Sequence, residues 1–300
     1  MRILLLFFDG WGLGADDPAR NPFLTAPMPT WRELVGGGVP TNANGHYHSA
    51  RATLVPTDAT LGVPGVPQSA TGQTALFTGI NAPRVLGEHL GPYPNAALRE
   101  ILAGANLFQQ LVAANRRVAF ANAYPPIFFE RLARNKARRS ATAHAVHAAN
   151  VRYRDLNDLR AGRAVSTFVT NALWREHGAD VPLITAHTAG ANLARLAHEN
   201  DLTVFEYFLT DAAGHKADPS YTARILAEVD QLLAGVLDEM RDDLMVITTS
   251  DHGNIEDWAK GHTRNPVPTV LIGAEHACLA AHIHALTDLT PAIVAWLSAK

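Results

Sequence analysis

Met1-Arg2-Ile3-Leu4-Leu5-Leu6-Phe7-Phe8-Asp9-Gly10-Trp11-Gly12 opens the chain, and its reading decides the fold. An apolar run from Ile3 to Phe8 stops abruptly at an aspartate in a glycine-flanked turn. So short a run, with no polar residue alternating through it, suits a strand buried on both faces of a parallel sheet. A secretory signal needs a longer apolar stretch and a small-residue cleavage site, and neither is present. No other run is long enough to span a bilayer. The expected location is the cytoplasm, with no membrane partner.

The same strand type recurs at Arg117–Ala123, Leu202–Leu209, Leu244–Thr248 and Pro268–Ile272. Helical spacing fills the intervals. A short helix is expected near residues 31–35, broken by Gly36-Gly37-Gly38. Asn95 to Arg116 carries Leu98, Ile101, Leu102, Leu107, Leu111 and Val112 on a helical repeat, with a break near Gly104. Further helices fall at 188–200, 219–240 and 289–297, the last with Pro291 in its first turn, where proline is tolerated. Residues 56–68 are rich in proline and glycine and read as loop. That loop enters Ser69–Gly79, a short helix capped by Ser69 or Thr71 and ended by Gly79. Strands alternating with helices predict an α/β three-layer sandwich around a mostly parallel central sheet. Between Pro125 and Val181 the texture changes, and Arg131, Arg134, Lys136, Arg138, Arg139, Arg152, Arg154, Arg160 and Arg163 crowd together. The expected organisation is a core of 1–124 and 183–300, with a cap lobe inserted at 125–182.

Composition narrows the function classes. The 300 residues are 47% hydrophobic and 18% charged, with a formal net charge of −3, so no bulk positive field recommends a nucleic-acid partner. Cys278 is the single cysteine, which excludes an internal disulfide and disfavours a thiolate metal site. Nothing in the sequence sets an oligomeric state.

The chemistry-bearing residues are positional. Asp9, Asp211 and the pair Asp251-His252 each follow an expected strand, and in open α/β sheets sites form beyond the carboxyl ends of strands. Three acidic positions converging there suggest a cation site, and oxygen plus imidazole donors suit Zn, Mn, Mg or Fe. Asp211 and His215, four apart, face the same way on a helical turn, although a capped helix start has the same appearance. His262, in Gly261-His262-Thr263-Arg264-Asn265-Pro266, leads into the next strand; alone it would read as a surface histidine. Ser69 stands where a loop turns into a helix, so the backbone N–H groups there can hold a phosphate oxygen. Its bland role is helix capping, and Thr71 is the rival hydroxyl. The cationic run holding Arg131, Arg134, Arg138 and Arg139 reads either as a solvated face, the commoner case, or as a clamp for a substrate phosphate or carboxylate. His89, His144 and His147 read as surface residues, and Phe128-Phe129 as lobe core.

Taken together, the ordered motifs resemble those of the alkaline phosphatase superfamily. The branch is the one containing cofactor-independent phosphoglycerate mutase and phosphopentomutase. The likeness lies in Phe8-Asp9-Gly10-Trp11-Gly12, Gln68-Ser69-Ala70-Thr71-Gly72-Gln73, Asp211 to His215, Thr249-Ser250-Asp251-His252-Gly253-Asn254 and His262 to Pro268, in that order. It covers both ends of the chain and not the middle lobe. The resemblance implies two divalent cations, Mn or Zn. One would be held by Asp211, His215 and His262, the other by Asp9, Asp251, His252 and the Ser69 oxygen. It also implies that Ser69 attacks phosphorus and forms a phospho-serine. Two departures stand out: the mutases carry an acidic residue after the serine and a histidine after the glycine, where this chain has Ala70 and Gln73. The expected function is hydrolysis of a small-molecule phosphate ester, as a phosphomonoesterase or phosphodiesterase. The alternatives are a phosphomutase and a non-enzymatic, metal-stabilised binding module.

Overall fold

Ile3, Leu5 and Phe7 point to one face of strand β1 (Arg2–Phe8), and Leu4, Leu6 and Phe8 to the other; both sets are buried. The two apolar clusters they enter are the two inter-layer cores of the molecule. In the computed structural model, which describes residues 1–259 and 261–299, β1 lies inside a seven-stranded sheet. The other strands are β2 (Tyr47–His48), β3 (Ala52–Thr57), β4 (Val118–Phe120), β5 (Leu202–Tyr207), β6 (Leu244–Thr249) and β7 (Val267–Ile272), in the order β2-β3-β7-β6-β1-β5-β4.

Strands β6, β1, β5 and β4 form a parallel block. Strand β7 runs against β6, and β3 against β7, so β3 shares the direction of β1. The sheet is thus mixed around a parallel core. Helices Ser69–Thr78, Ala96–Gly104, Leu107–Ala113, Ala141–Ala148 and Leu286–Ala299 cover one face. Helices Pro29–Leu34, Ala186–Ala197 and Pro219–Asp238 cover the other.

Three local readings are corrected. First, β2 and β3 lie where no strand was expected, and β3 takes in the start of the 56–68 stretch that reads as loop, including Pro56. Its register partner is Pro268, so two residues without an N–H face each other at a point where neither owes the ladder a donor. Second, the helix opening at Ser69 has Gln68, not Ser69 or Thr71, at its N-cap position, while Gly79 closes it in the left-handed conformation as expected. Third, the last helix begins at Leu286, so Pro291 lies inside it rather than in its first turn. The break near Gly104 is real: Asn106 and Gln109 exchange hydrogen bonds in a capping box that starts a second helix.

The segment 125–182 divides by its contacts. Phe128, Ala141, Val146 and Tyr153 pack into the main core. Leu159, Ala164 and Val181 form a small cluster with Ala123, beside bridges that prolong the β4 edge.

Helices Ala186–Ala197 and Pro219–Asp238 touch through glycines. A Cβ on Gly190 would sit 1.9 Å from the Leu232 carbonyl oxygen, and one on Gly235 would sit 1.9 Å from that of His187. Alanine would gain about 1 kcal/mol of helix propensity at either place. Overpacking of about 1–3 kcal/mol or more outweighs that gain, because the obstacle is backbone. Gly190→Ala and Gly235→Ala are each expected to lower the urea midpoint; an unchanged or raised midpoint would show that the helices can separate freely.

Candidate metal centre and cavity

The parallel block aims its strand ends at one edge. Asp9 follows β1, Asp251 and His252 follow β6, and Asp211 lies in the first turn of the helix Leu209–Lys216 after β5, with His215 one turn later. Strand β7 runs the opposite way, so His262, which precedes it, arrives at the same edge. This is why a histidine before a strand meets aspartates that come after strands. Strand β3 ends there too and feeds the loop that delivers Ser69.

These seven side chains converge. Ser69 Oγ is 3.0 Å from His252 Nε2. That nitrogen is 3.2 Å from Asp9 Oδ1 and 3.7 Å from Asp251 Oδ2. His262 Nε2 stands 3.1 Å from His215 Nε2 and 3.4 Å from Asp211 Oδ1, while His215 Nε2 is 3.3 Å from Asp211 Oδ2. The His252 and His262 rings stack at 3.8 Å, joining the two groups. Ligand atoms of Asp9, Asp251 and His252, and of Asp211, His252 and His262, lie close enough to share an ion.

The donor set fits divalent cations. Asp9 Oδ1 is buried with His252 Nε2 at 3.2 Å as its nearest partner, a place a cation would take over. Two imidazole nitrogens, on His215 and His262, face each other beside a carboxylate, an arrangement that a cation between them satisfies. The other ring nitrogens of two of these histidines are already engaged, His262 Nδ1 with Pro67 O at 2.9 Å and His252 Nδ1 with Gly253 O at 3.3 Å. Such contacts fix the tautomer and present Nε2 to a metal.

Supporting groups that sequence reasoning passed over hold this geometry. Gln73 donates through Nε2 to Asp9 Oδ2 at 3.3 Å and to Asp251 Oδ2 at 3.1 Å. Asn254 donates to Asp211 Oδ1 at 2.6 Å. The fully buried Glu256 accepts from the backbone N–H groups of Gly12 and Asn254 and from the side chains of Thr263 and Asn265. It ties together the loops carrying Asp9, Asp251 and His262. Their signal was local: Asn254 and Asn265 sit inside the motif words, and Gln73 is itself a departure from the mutase pattern. Gly72 lets the Ser69 helix approach, since a Cβ there would fall 2.6 Å from the Asp251 carbonyl. Thr71, the rival hydroxyl, is fully buried and bonded to Gln68 O and Leu90 O.

Charge crowding shows in the titration. Burial pushes the Asp9 carboxyl well above the usual range, and the Asp251 charge adds to it. Burial would lower His252, but Asp251 and Asp9 outweigh it and hold the imidazole up to about 10. Burial also acts to raise Asp211, yet the His262 hydrogen bond and the His252 charge bring it down to about 2.

A cavity of about 770 Å³ opens over Ser69, Asp9 and Asp211. Arg138 and Arg139 line it; Arg131 and Arg134 are exposed and do not. Arg138 stacks over the Tyr93 ring at 3.9 Å. Arg139 Nε and Nη1 are buried without hydrogen-bond partners. His89, His144 and His147 are not among its lining residues, and Phe128 belongs to the core. Glu206, on β5, also faces the cavity and was not anticipated. Its burial, with smaller contributions from neighbours, raises its pKa to about 7.

The fold and this edge define a chain built on the alkaline phosphatase plan: the alkaline phosphatase of the Antarctic bacterium TAB5 superposes with a TM-score of 0.50 at 14% identity, covering 99% of this chain and 97% of that one. A family model described as the metalloenzyme superfamily matches residues 1–298, and the chain belongs to that superfamily, whose members bind divalent metal. The phosphopentomutase of Levilactobacillus brevis is 32% identical over 129 residues, which are 39% of this chain and 32% of that protein. The 2,3-bisphosphoglycerate-independent phosphoglycerate mutase of Methylobacillus flagellatus is 29% identical over 116 residues, 36% of this chain and 22% of that one. The aligned stretches therefore span a third or less of these relatives' own length. Among the described residues no helix is long and apolar enough to cross a membrane.

Glu206 gives a stability test. Its folded pKa of about 7 exceeds the ordinary 4.5. The folded state therefore holds the proton more tightly, and Glu206 favours folding fully below pH 4.5 and loses that contribution as pH rises through 7. The loss amounts to roughly 3 kcal/mol. In chelated protein, Glu206→Gln is expected to become increasingly more stable than wild type between pH 4.5 and 7, with a constant gap above, by urea unfolding. A gap independent of pH would mean that the carboxyl titrates normally.

Proposed function

We propose that this protein is a metal-dependent phosphate-ester hydrolase, a phosphomonoesterase or phosphodiesterase, with Ser69 as nucleophile. The observation that carries this reading is the Ser69 hydroxyl, 3.0 Å from His252 Nε2, which both ligand groups share, and lining an open cavity. Asp211, His215 and His262 would hold one cation, and Asp9, Asp251 and His252 with the Ser69 oxygen a second; Mn or Zn suits the donors. Cations held there would lower the pKa of the hydroxyl and neutralise charge on phosphorus.

The chain's own residues do the rest. Ser69 Oγ attacks phosphorus, a serine–phosphorus ester forms, and the bond to the leaving alcohol breaks. The serine proton leaves with the departing alcohol; water then cleaves the phospho-serine, returns a proton to Ser69 Oγ, and releases phosphate from a monoester or a phosphate monoester from a diester. The N–H group of Ser69 opens its helix and has no intrahelical acceptor, a ready contact for a phosphoryl oxygen. Arg139, which lines the cavity, supplies a charged donor for the same group. Gln73 holds Asp9 and Asp251 in place without adding charge. A small-molecule phosphate ester is the substrate class.

The names of the relatives favour a second reading, a mutase that returns the phosphoryl group to its substrate. Assays of phosphate release from an aryl phosphate, set against isomerisation of phosphoglycerate and phosphopentoses, separate the two.

Ser69→Ala is expected to lower kcat by roughly a thousand-fold or more while metal content is retained. Acid quenching during turnover of a radiolabelled ester is expected to trap label on Ser69; label elsewhere, or retained turnover in the variant, would sink the assignment. Arg139→Met is expected to raise KM roughly ten- to hundred-fold with little change in metal content, since a hydrogen bond to a charged group is removed.

A further inference from the structure

We propose that Glu206 selects the substrate: the alcohol esterified to phosphorus carries a hydrogen-bond donor, a hydroxyl or an ammonium group, on a flat apolar body. This inference rests on the cavity being the substrate site of a phosphate-ester enzyme.

Glu206 is under-supplied with partners for a carboxylate only 7% exposed. Among the described residues only hydroxyls serve it: Ser140 Oγ reaches Oε2 at a long 3.4 Å, and the Thr142 hydroxyl also contributes. Among the described residues no cationic side chain comes within ion-pairing distance of it. Comparable buried carboxylates are met in full. Asp158 takes Arg152 at 2.5 Å, Asp230 takes the N–H groups of Trp31 and Thr30 at 2.8 and 3.2 Å, and Glu256 takes four donors. A buried carboxylate with spare acceptor capacity is costly unless something else fills it.

The cavity is where that something arrives, because Glu206 lines it together with Ser69. In its ionised form Glu206 repels the transferring phosphoryl group, itself an anion. Arg138 and Arg139 meet the anion instead. Another part of the substrate must therefore face Glu206, and it must donate. The walls describe the remainder of the molecule. Tyr93, Tyr124, Ile127, Phe168, Trp174 and Phe208 line the space, and Tyr93, Ile127 and Phe208 are 40%, 48% and 43% exposed. Large apolar side chains left open to one cavity fit an apolar ligand, and a few placed polar groups then fix its orientation. A donor arriving at Glu206 stabilises its ionised form, which burial otherwise disfavours.

The test separates binding from turnover. Full-length Ser69→Ala protein loaded with Mn(II) is titrated calorimetrically with three matched esters: 4-ethylphenyl, 4-(2-hydroxyethyl)phenyl and 4-(2-aminoethyl)phenyl phosphate. The two donor-bearing esters are expected to bind roughly ten- to hundred-fold more tightly than the ethyl ester. Adding Glu206→Leu is expected to bring all three Kd values together. Adding Glu206→Gln, which keeps an acceptor without the charge, should preserve most of the hydroxyl preference and lose the ammonium preference. Thermal melts confirm that the variants fold, and Glu206→Gln carries the test if the leucine variant does not. Equal binding of the three esters to the Ser69→Ala parent, no binding of any, an ammonium preference that survives Glu206→Gln, or any donor preference that survives Glu206→Leu would overturn the inference. Donor preference in binding without hydrolysis by the wild-type protein would uphold it and defeat the hydrolase reading instead.

Discussion

Three carboxylates, Asp9, Asp211 and Asp251, are held within a few ångströms of one another around His252, and the molecule is organised to make that crowding tolerable. Charges of one sign in a dry place repel strongly. Part of the compensation is internal. His252 is drawn up to about 10, and Gln73 gives one hydrogen to each of two aspartates. What is left over is more negative charge than the one raised imidazole can offset. A divalent cation resolves that residue of repulsion better than any side chain present. In the proposed reading the same cations then act on the substrate.

The fold supplies the rigidity such crowding demands. Each aspartate is attached to the end of a fully buried strand or the first turn of the helix that follows. The loops between them are pinned by Glu256, whose two oxygens accept donors from residues 12, 254, 263 and 265. One carboxylate outside the metal centre therefore fixes the spacing of carboxylates inside it. Gly72 completes the arrangement by letting the Ser69 helix lie against the Asp251 backbone, so the hydroxyl and the ligands belong to one packed unit.

Much of this was legible because strand ends leave a sharp signature. Asp9 and Asp251 announce themselves by ending apolar runs, and Asp211 with His215 by helical spacing. His262 was harder, since its convergence depends on β7 being antiparallel, a fact of pairing that no local pattern carries. Strand β3 was missed, its last two residues falling in the stretch read as loop; the missing N–H of Pro56 is harmless because Pro268 stands opposite. Glu206 was invisible for a related reason. In the sequence it is one charge inside an apolar strand, and only the placement of the segment 125–182 beside β5 makes it a cavity wall.

Gln73 links the metal centre to the choice between the two readings of function. In the mutases that this sequence resembles, a histidine follows the motif glycine. An imidazole there could carry charge or relay a proton; an amide does neither near neutral pH. Gln73 keeps the structural half of that position, bridging Asp9 and Asp251, and gives up the acid–base half. A mutase must hold its phospho-serine dry until the substrate returns to take the phosphoryl group. Here the position beside the nucleophile no longer offers a titratable group to manage that exchange, and the cavity above it has room for water as well as ligand. Both features weigh toward water as the final acceptor, which is the hydrolase reading.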